Sequence, residues 1–209
     1  MSAALRNNNP VIQTIEERDY HILLSRMREF TDSRDEQTND KIWFVQHNPV
    51  FTIGRNGDQS NCLVSSDIPL VQSDRGGDVT YHGPGQLLMY CMMDIKRLRL
   101  GVKSLVYGLE EIIIQYLSEF DIDGKRMQGA PGIYVEGDKL ASLGLRVRNG
   151  CSFHGLAINV NMDLEPFTYI NPCGLKGMKV TQLSQLGVDK TCDEVALRLS
   201  DLMIQKFYK

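Results

Sequence analysis

The chain has 209 residues, of which 42% are hydrophobic and 23% are charged, and its formal net charge is −3. This length and balance are typical of a globular protein, so we expect a single domain over residues 1–209 rather than a disordered chain. The acidic balance gives no footprint for nucleic acid, and the lack of a signal-like or membrane-length apolar stretch predicts a cytoplasmic protein without a membrane partner.

The first third of the chain has the pattern of one helix followed by short strands. Thr14 and Glu17 have the spacing of a capping box, and apolar residues at helical spacing continue to Phe30, which predicts an amphipathic helix over residues 14–31. Residues 31–40 are charged and predict an exposed loop. Short runs of strand-forming residues predict strands at 42–46, 50–53 and 68–71, with a polar surface loop at 54–66.

The stretch at residues 75–86 reads RGGDVTYHGPGQ and is unusually rich in glycine. Because glycine permits tight bends and close backbone approach, Gly76-Gly77 and Gly83-Pro84-Gly85 predict two bends around a short strand. Such a loop can bring backbone amides and the side chains of Arg75 and His82 against a small ligand. An ordinary hairpin is the alternative. The loop matches neither of the common nucleotide-binding glycine motifs.

The second half of the chain alternates between strands and helices. A strand at residues 86–95 is apolar on both faces, as in the centre of a covered sheet, and a long buried helix follows at 105–120. A hairpin is predicted from 132–135 and 139–147. Strict alternation in its second strand places Lys139 on the face of Ala141 and Leu143, opposite Ser142 and Gly144. The last predicted elements are a strand at 154–162 after the Asn149-Gly150 turn, and a helix that begins with a capping box at 191–194 and continues to Phe207.

This order of elements predicts an α/β (α+β) fold with a mixed, mostly antiparallel sheet flanked by helices. It does not follow the strict strand–helix alternation of dinucleotide-binding folds. The five cysteines contain no CxxC pair, and only Cys151 and His154 have the spacing of metal ligands. Since a structural zinc site takes four ligands, we expect no metal site and free thiols in a reducing compartment.

Four residues are candidates for chemistry, each with a simpler alternative. Lys139 follows a turn, and its local pattern alone favours a solvated turn lysine over a site residue. Cys173 lies in a loop between Pro172 and Gly174, where a cysteine serves either as a reactive thiol or as core filling. His82 and His154 each lie beside a glycine at a strand end, and either can serve a site or satisfy a buried hydrogen bond.

Several blocks of unusual composition carry a family resemblance: RGGDVTYHGPGQL, APGIYV, DKLASLGLRV, HGLAINVN, and NPCG followed by VTQL. In this order they closely resemble lipoyl(octanoyl) transferases, and the likeness extends from about His47 to Leu183, roughly two thirds of the chain. The departures are small: Ile133-Tyr134 replaces a pair that is often Val-Trp in the family, and Cys151 is an extra thiol.

The resemblance implies the fold of biotin and lipoate protein ligases, a reaction without a cofactor or metal, and a defined set of partners. An octanoyl group passes from octanoyl-acyl carrier protein, through a cysteine thioester, to the acceptor lysine of a lipoyl domain. Such domains belong to the E2 subunits of 2-oxoacid dehydrogenases and to the glycine cleavage H protein. On the family motif the nucleophile is Cys173 and its partner is Lys139. The implied acyl-binding residues are Arg75, Gly76, Gly77, Asp78, Val79, Thr80, Tyr81, His82, Ser142, Leu143, Gly144, Gly155, Leu156 and Ala157.

Elementary chemistry is consistent with those roles. A free cysteine has a pKa of about 8.5 and a lysine about 10.4, so a hydrated pair of the two favours thiolate with ammonium, and the thiolate is the form that attacks a thioester. The carrier and the acceptor domain are expected to be acidic near the modified group. A local basic rim is therefore a further hypothesis, formed by Arg55, Arg75, Arg146, Arg148, Lys176 and Lys179.

Three alternatives stay open at the level of sequence. An ATP-dependent lipoate ligase of the same fold has a similar loop and lysine but no need for Cys173. A non-catalytic acyl- or carrier-binding module would tolerate loss of that cysteine. A thioesterase with the same pair of residues would release free octanoate.

Overall fold

The computed structural model describes residues 9–209, which form two β-sheets and three α-helices. The strands are β1 (Val11–Thr14), β2 (Lys41–Val45), β3 (Val50–Ile53), β4 (Leu70–Gln72), β5 (Thr80–His82), β6 (Gln86–Met92), β7 (Lys125–Arg126), β8 (Gly132–Val135), β9 (Asp138–Arg148) and β10 (Cys151–Asn159). The helices are α1 (Tyr20–Ser33), α2 (Val102–Ser118) and α3 (Cys192–Phe207).

The larger sheet has seven strands in the order β1-β2-β6-β10-β9-β8-β7, and the smaller sheet has three in the order β4-β3-β5. The pairs β1/β2 and β3/β4 are parallel, and the other pairs are antiparallel. The predicted mixed, mostly antiparallel sheet flanked by helices is therefore confirmed. The single-domain interpretation of residues 1–209 stays a prediction.

The larger sheet is covered on both faces, which explains why every residue of β6 is buried. Leu87, Met89 and Cys91 point to one face and pack with α2 and α3, whereas Leu88, Tyr90 and Met92 point to the other and pack with α1. A third, smaller core lies beneath the small sheet, where Phe51, Val79, Tyr81, Phe167 and Ile170 meet. The continuous apolar run at 86–95 predicted this central strand correctly, and its regular pairing ends at Met92.

The prediction for the N-terminal helix was wrong in its start and end. Thr14 ends strand β1 rather than capping a helix, because β1 pairs in parallel with β2. The helix begins at Tyr20, and the side chain of Asp19 caps it by accepting a hydrogen bond from the Ile22 backbone N–H at 3.0 Å. It continues to Ser33 with Thr31 buried, so the start of the predicted loop at 31–40 is helical. The strands β1 and β7 were not predicted.

A β-bulge corrects the predicted alternation in β9. Tyr134 pairs with Lys139, but the preceding Ile133 pairs with Ala141, so Leu140 is an extra residue in β9. Leu140 and Ala141 both enter the main core. Lys139 is thereby turned to the face of Ser142 and Gly144, opposite the face that strict alternation predicts.

The remaining predictions agree closely with the structure. The capping box at Thr191 is confirmed, since its hydroxyl accepts from the Glu194 N–H at 3.2 Å and its own N–H donates to the Glu194 carboxylate at 2.9 Å. The Asn149-Gly150 turn is also confirmed, although the following strand begins at Cys151, ahead of the predicted start. Across residues 9–209, none of the helices has the length and apolar character needed to span a bilayer.

Candidate active site

Cys173 lies on a short turn that we call the Cys173 turn, residues 171–175, next to the glycine-rich loop. The turn contains a single 3₁₀ segment, Pro172–Gly174, in which Cys173 has φ 57° and ψ 25°, a left-handed conformation that is uncommon for cysteine. The backbone N–H of Cys173 donates to the carbonyl of Val79 at 3.0 Å, and that of Gly174 donates to Asn171 at 3.0 Å. The turn therefore presents the thiol from a loop rather than from a regular element.

Lys139 approaches this thiol from the larger sheet. Its Nζ donates to Cys173 Sγ at 2.9 Å, and the residue is 2% exposed. Its backbone pairs with Tyr134 of β8 on one side and with the segment 179–181 on the other, where its N–H donates to the Lys179 carbonyl at 2.9 Å and its carbonyl accepts from the Thr181 N–H at 3.0 Å. On β8, Gly132 leaves room for the lysine stem, since a Cβ there would lie 2.8 Å from Lys139 Cε.

The charge state of Lys139 follows from two opposing effects. Burial is the largest influence and lowers the pKa of the ammonium, but the Cys173 sulfur and the Tyr134 hydroxyl together raise it by more, so the pKa of Lys139 lies above its ordinary value. The ring of Tyr134 lies 5.3 Å from Nζ and adds a cation–π contact. The ammonium form is thus favoured beside the sulfur, which is the arrangement that stabilises a thiolate.

A cleft of about 460 Å³, including its open mouth, extends from Cys173 into the protein between the glycine-rich loop and strands β9 and β10. Its lining includes ten of the residues predicted to bind the acyl group: Arg75, Gly77, Thr80, His82, Ser142, Leu143, Gly144, Gly155, Leu156 and Ala157. Tyr20, Leu88, Tyr90 and His154 complete the lining with Cys173. The cleft is therefore a mainly apolar slot with a few polar side chains in its lining.

Four of the predicted acyl-binding residues do not line the slot. Val79 and Tyr81 point into the small core beneath the second sheet. Gly76 pairs with β9, since its N–H donates to the Leu145 carbonyl at 2.9 Å. The carboxylate of Asp78 accepts hydrogen bonds from the loop backbone and from Asn61.

Buried histidine and tyrosine side chains lie together along the slot. Tyr20 stacks on His82 with ring centroids 6.1 Å apart, and His47 lies between Tyr20 and Tyr90 and bonds the Tyr90 hydroxyl at 2.6 Å. His154 has φ 59° and bonds Asp74 at 2.8 Å. Burial lowers the pKa of His47 to about 4 and lowers that of His82 and His154 as well. These imidazoles are therefore neutral at neutral pH.

Comparison with known proteins places the chain in a family. Residues 19–203 match the lipoyl protein ligase A/B catalytic domain. The chain is 54% identical to an octanoyltransferase of Vibrio vulnificus over 183 residues, which covers 88% of this chain and 84% of the relative. It is 50% identical to an octanoyltransferase of Klebsiella pneumoniae over 195 residues, with 93% and 91% covered. The chain belongs to the octanoyltransferases of this family.

The fold comparison agrees with that assignment. A putative lipoate protein ligase from T. acidophilum superposes with a TM-score of 0.79 at 16% identity, covering 95% of this chain and 85% of the other. The resemblance read from the sequence and the ligase-like fold are both confirmed, and the octanoyltransferase is an acyltransferase of lipoate biosynthesis. An ATP-dependent ligase would share this fold, but the relatives at 50% identity or more given above are named octanoyltransferases.

The site of this octanoyltransferase contains residues that sequence reasoning missed. Tyr20, Leu88 and Tyr90 had the pattern of ordinary core positions on a helix and a central strand. The tyrosine in the apolar run of β6 was the available signal, because a buried hydroxyl needs a hydrogen-bond partner. His154 was left open, and the structure assigns it both to the slot lining and to a buried hydrogen bond with Asp74.

Arg75 does not belong to the hypothetical basic rim. It is 8% exposed, and its guanidinium donates to the Thr52 carbonyl at 2.6 Å and the Asp78 carbonyl at 2.7 Å. Burial lowers its pKa. Its role is to tie the glycine-rich loop to β3. Arg55 and Arg146 instead line a groove beside Gly76 and Gly77.

Proposed function

We propose that this octanoyltransferase takes its octanoyl group from octanoyl-acyl carrier protein, holds it as a thioester on Cys173, and passes it to the acceptor lysine of lipoyl domains. The observation that supports this most directly is the 2.9 Å contact between Lys139 Nζ and Cys173 Sγ at the end of an apolar slot. A protonated lysine beside a thiol favours the thiolate, which is the nucleophilic form, and the adjacent apolar slot can bind a short acyl chain.

The first half-reaction moves the acyl group from the donor thioester to the enzyme. Cys173 as thiolate attacks the carbonyl carbon, a new C–S bond forms, and the carbon–sulfur bond to the donor breaks. The Lys139 ammonium gives its proton to the departing donor sulfur. Because one thioester replaces another, this step is nearly balanced in free energy.

The second half-reaction moves the acyl group to nitrogen. Lys139 is now a neutral amine and accepts the proton that the attacking acceptor amine loses. The Cys173 C–S bond breaks as the amide forms, and the ammonium–thiolate pair is restored. Amide formation from a thioester is downhill, so this route needs neither ATP nor another cofactor.

The slot supports an acyl chain of limited length. Gly77, Gly144 and Gly155 bring backbone to its surface, and Leu143 and Leu156 supply apolar walls. Burial of the chain contributes about 0.8 kcal/mol per methylene, so a tail that fills the slot gains several kcal/mol. A chain longer than the slot loses that gain for each methylene left outside.

The acceptors that we propose are the lipoyl domains of 2-oxoacid dehydrogenase E2 subunits and of the glycine cleavage H protein. We also propose a cytoplasmic location, which suits the five free cysteines because a reducing compartment keeps thiols unpaired.

Intact-mass measurement of the enzyme after mixing with octanoyl-acyl carrier protein, without ATP, tests this function. We expect one octanoyl adduct, mapped to Cys173, which then moves to an added lipoyl domain. Cys173→Ala should abolish the adduct, Lys139→Met should slow its formation about 10³-fold by loss of acid–base help, and Cys151→Ser should leave it unchanged.

Two results would contradict the proposal. An adduct that survives Cys173→Ala would exclude this nucleophile. Release of free octanoate in place of an acylated lysine, with the lipoyl domain present, would instead indicate a thioesterase.

A further inference from the structure

One side chain far from Cys173 in sequence connects the glycine-rich loop to the Cys173 turn. Asn61 donates from Nδ2 to Asp78 Oδ2 at 2.8 Å, and its Oδ1 accepts from Asn171 Nδ2 at 3.2 Å. The backbone carbonyl of Asn61 also accepts from the Asn171 N–H at 2.8 Å. The Asn61 amide nitrogen is therefore bonded to the glycine-rich loop, and its amide oxygen is bonded to the Cys173 turn.

Asp78 completes this connection from the other side. Its Oδ1 accepts from the Val79 N–H at 2.7 Å and from the Asp58 N–H at 3.1 Å. Its Oδ2 lies 2.8 Å from the position that a Cβ on Gly174 would occupy, so the carboxylate packs directly against the residue after the nucleophile. This side chain faces the Cys173 turn and not the acyl slot.

The Cys173 turn needs such support because its conformation is unfavourable. Cys173 has φ 57°, and a non-glycine residue in the left-handed region costs about 1 kcal/mol or more unless its surroundings hold it there. Its own N–H bonds the Val79 carbonyl, directly after Asp78. A shift of Asp78 would therefore displace both contacts that hold the Cys173 turn, namely its hydrogen bond with Asn61 and the neighbouring Val79 carbonyl.

We propose that Asn61 and Asp78 are positioning residues that hold Cys173 in line with Lys139 and the slot. This inference rests on the proposed function of Cys173 as the nucleophile. It removes Asp78 from the acyl-binding set and gives a role to Asn61, which lies in a loop that the sequence motifs do not single out. The two residues act through the turn and contact neither the acyl chain nor the reacting atoms.

The hydrogen-bond pattern allows a swap test at constant net charge. Asn61→Asp alone sets two carboxylates against each other with no proton between them. Asp78→Asn alone is milder, because the amides at 61 and 171 can turn round to restore donor–acceptor pairs. In Asn61→Asp/Asp78→Asn, the new amide at 78 keeps its oxygen for the two backbone N–H groups and donates to the new carboxylate at 61. That carboxylate still accepts from Asn171.

The test measures two rates at Cys173 in full-length protein. Peptide-level mass spectrometry gives the rate of alkylation by iodoacetamide as a function of pH, and octanoyl-acyl carrier protein gives the rate of acylation. We expect Asn61→Asp to lower acylation about 100-fold, as for a small misplacement of a reacting group, and the swap to recover at least tenfold of that loss. The alkylation profile of Asn61→Asp should shift to higher pH and return in the swap.

The controls separate this inference from its premises. Asn149→Asp makes the same charge change on an exposed turn and should match the wild type in both rates. A swap no faster than Asn61→Asp, or an Asn61→Asp enzyme as fast as the wild type, would overturn the positioning role while wild-type acylation still stands. If the wild type is not acylated, the proposed function fails, and the alkylation profiles still decide whether Asn61 and Asp78 control the sulfur.

Discussion

The two side chains of the proposed Cys173–Lys139 pair are held by different kinds of structure. Lys139 belongs to the seven-stranded sheet: its backbone is paired on both sides, and the main core begins with the next residue, Leu140. Cys173 belongs to a short turn that is held by two backbone hydrogen bonds, from Cys173 to Val79 and from Asn171 to Asn61, and by the side-chain bonds that Asn61 makes with Asp78 and Asn171.

This difference predicts two kinds of mutational behaviour. Support for the lysine is shared with the sheet and the core, so its loss lowers the free energy of unfolding together with activity. Support for the sulfur comes from a few polar contacts near the surface, and its loss lowers activity while the fold remains.

The largest expected effect is that of Gly132→Ala, which tests the sheet-held side of the comparison. The added methyl would lie 2.4 Å from the Ala141 carbonyl oxygen and 2.8 Å from Lys139 Cε, at a residue with φ 144°. Because backbone and lysine must both shift, we expect the free energy of unfolding to fall by about 3 kcal/mol or more. Acylation of Cys173 in the folded fraction should fall with it. Urea denaturation and single-turnover kinetics measure the two effects.

Gly129→Ala is the matched control for that variant. Gly129 also has a positive φ, 79°, but a methyl there meets no atom within 4 Å. It should therefore cost only the backbone strain, about 1 kcal/mol, and leave acylation intact. If Gly132→Ala keeps wild-type stability yet loses acylation, the link between the lysine and the fold is wrong.

The regular parts of the fold were predictable because local signals and burial agree there. The double-sided apolar run of β6, the Asn149-Gly150 turn and the Thr191 capping box each specify one structure. The start of α1 was not predictable in this way, because Thr14 has the same capping-box spacing as Thr191. Only the pairing of Thr14 with β2 makes it a strand residue. Tertiary contacts decided between two equally good local patterns.

The site was predictable in part of its lining but not in its geometry. The family resemblance supplied Cys173 and Lys139, whereas alternation alone turned Lys139 to the wrong face, since a single extra residue at Leu140 reverses the pattern. Asn61 has no motif. Its role depends on two segments that meet only in the folded chain, one of them 110 residues away.

An intermediate effect is expected for charge reversal in the groove between the glycine-rich loop and β9. Arg55 follows β3 and Arg146 lies on β9, and both line the groove beside Gly76 and Gly77. If an acidic carrier docks there, Arg55→Glu/Arg146→Glu should lower kcat/KM for octanoyl-acyl carrier protein about tenfold at low salt, with less effect at high salt. Steady-state kinetics at two ionic strengths measure this.

Two comparisons make the docking test specific. A carrier-free octanoyl thioester should react equally well with both enzymes, because the slot and the two reacting side chains are untouched. Lys125→Glu/Lys206→Glu makes the same change in charge at two exposed positions elsewhere and should leave the carrier reaction unchanged. A loss shared by the carrier-free donor would show that the arginines act on the site itself and not on docking.

The smallest effect at neutral pH is expected for a pH dependence of stability on the sheet side, which develops only in acid. Burial lowers the pKa of His47 to about 4 from an ordinary value of 6.5, so between these values the unfolded chain binds more protons than the folded one. The stability that His47 contributes is complete above pH 6.5 and is lost as pH falls towards 4, by up to about 3 kcal/mol. His47→Gln should therefore flatten the plot of unfolding free energy against pH in this window.

The matched control is His21→Gln on the exposed face of α1, which should keep the wild-type slope. Equal slopes in the wild type and His47→Gln would show that His47 is not held neutral by the fold.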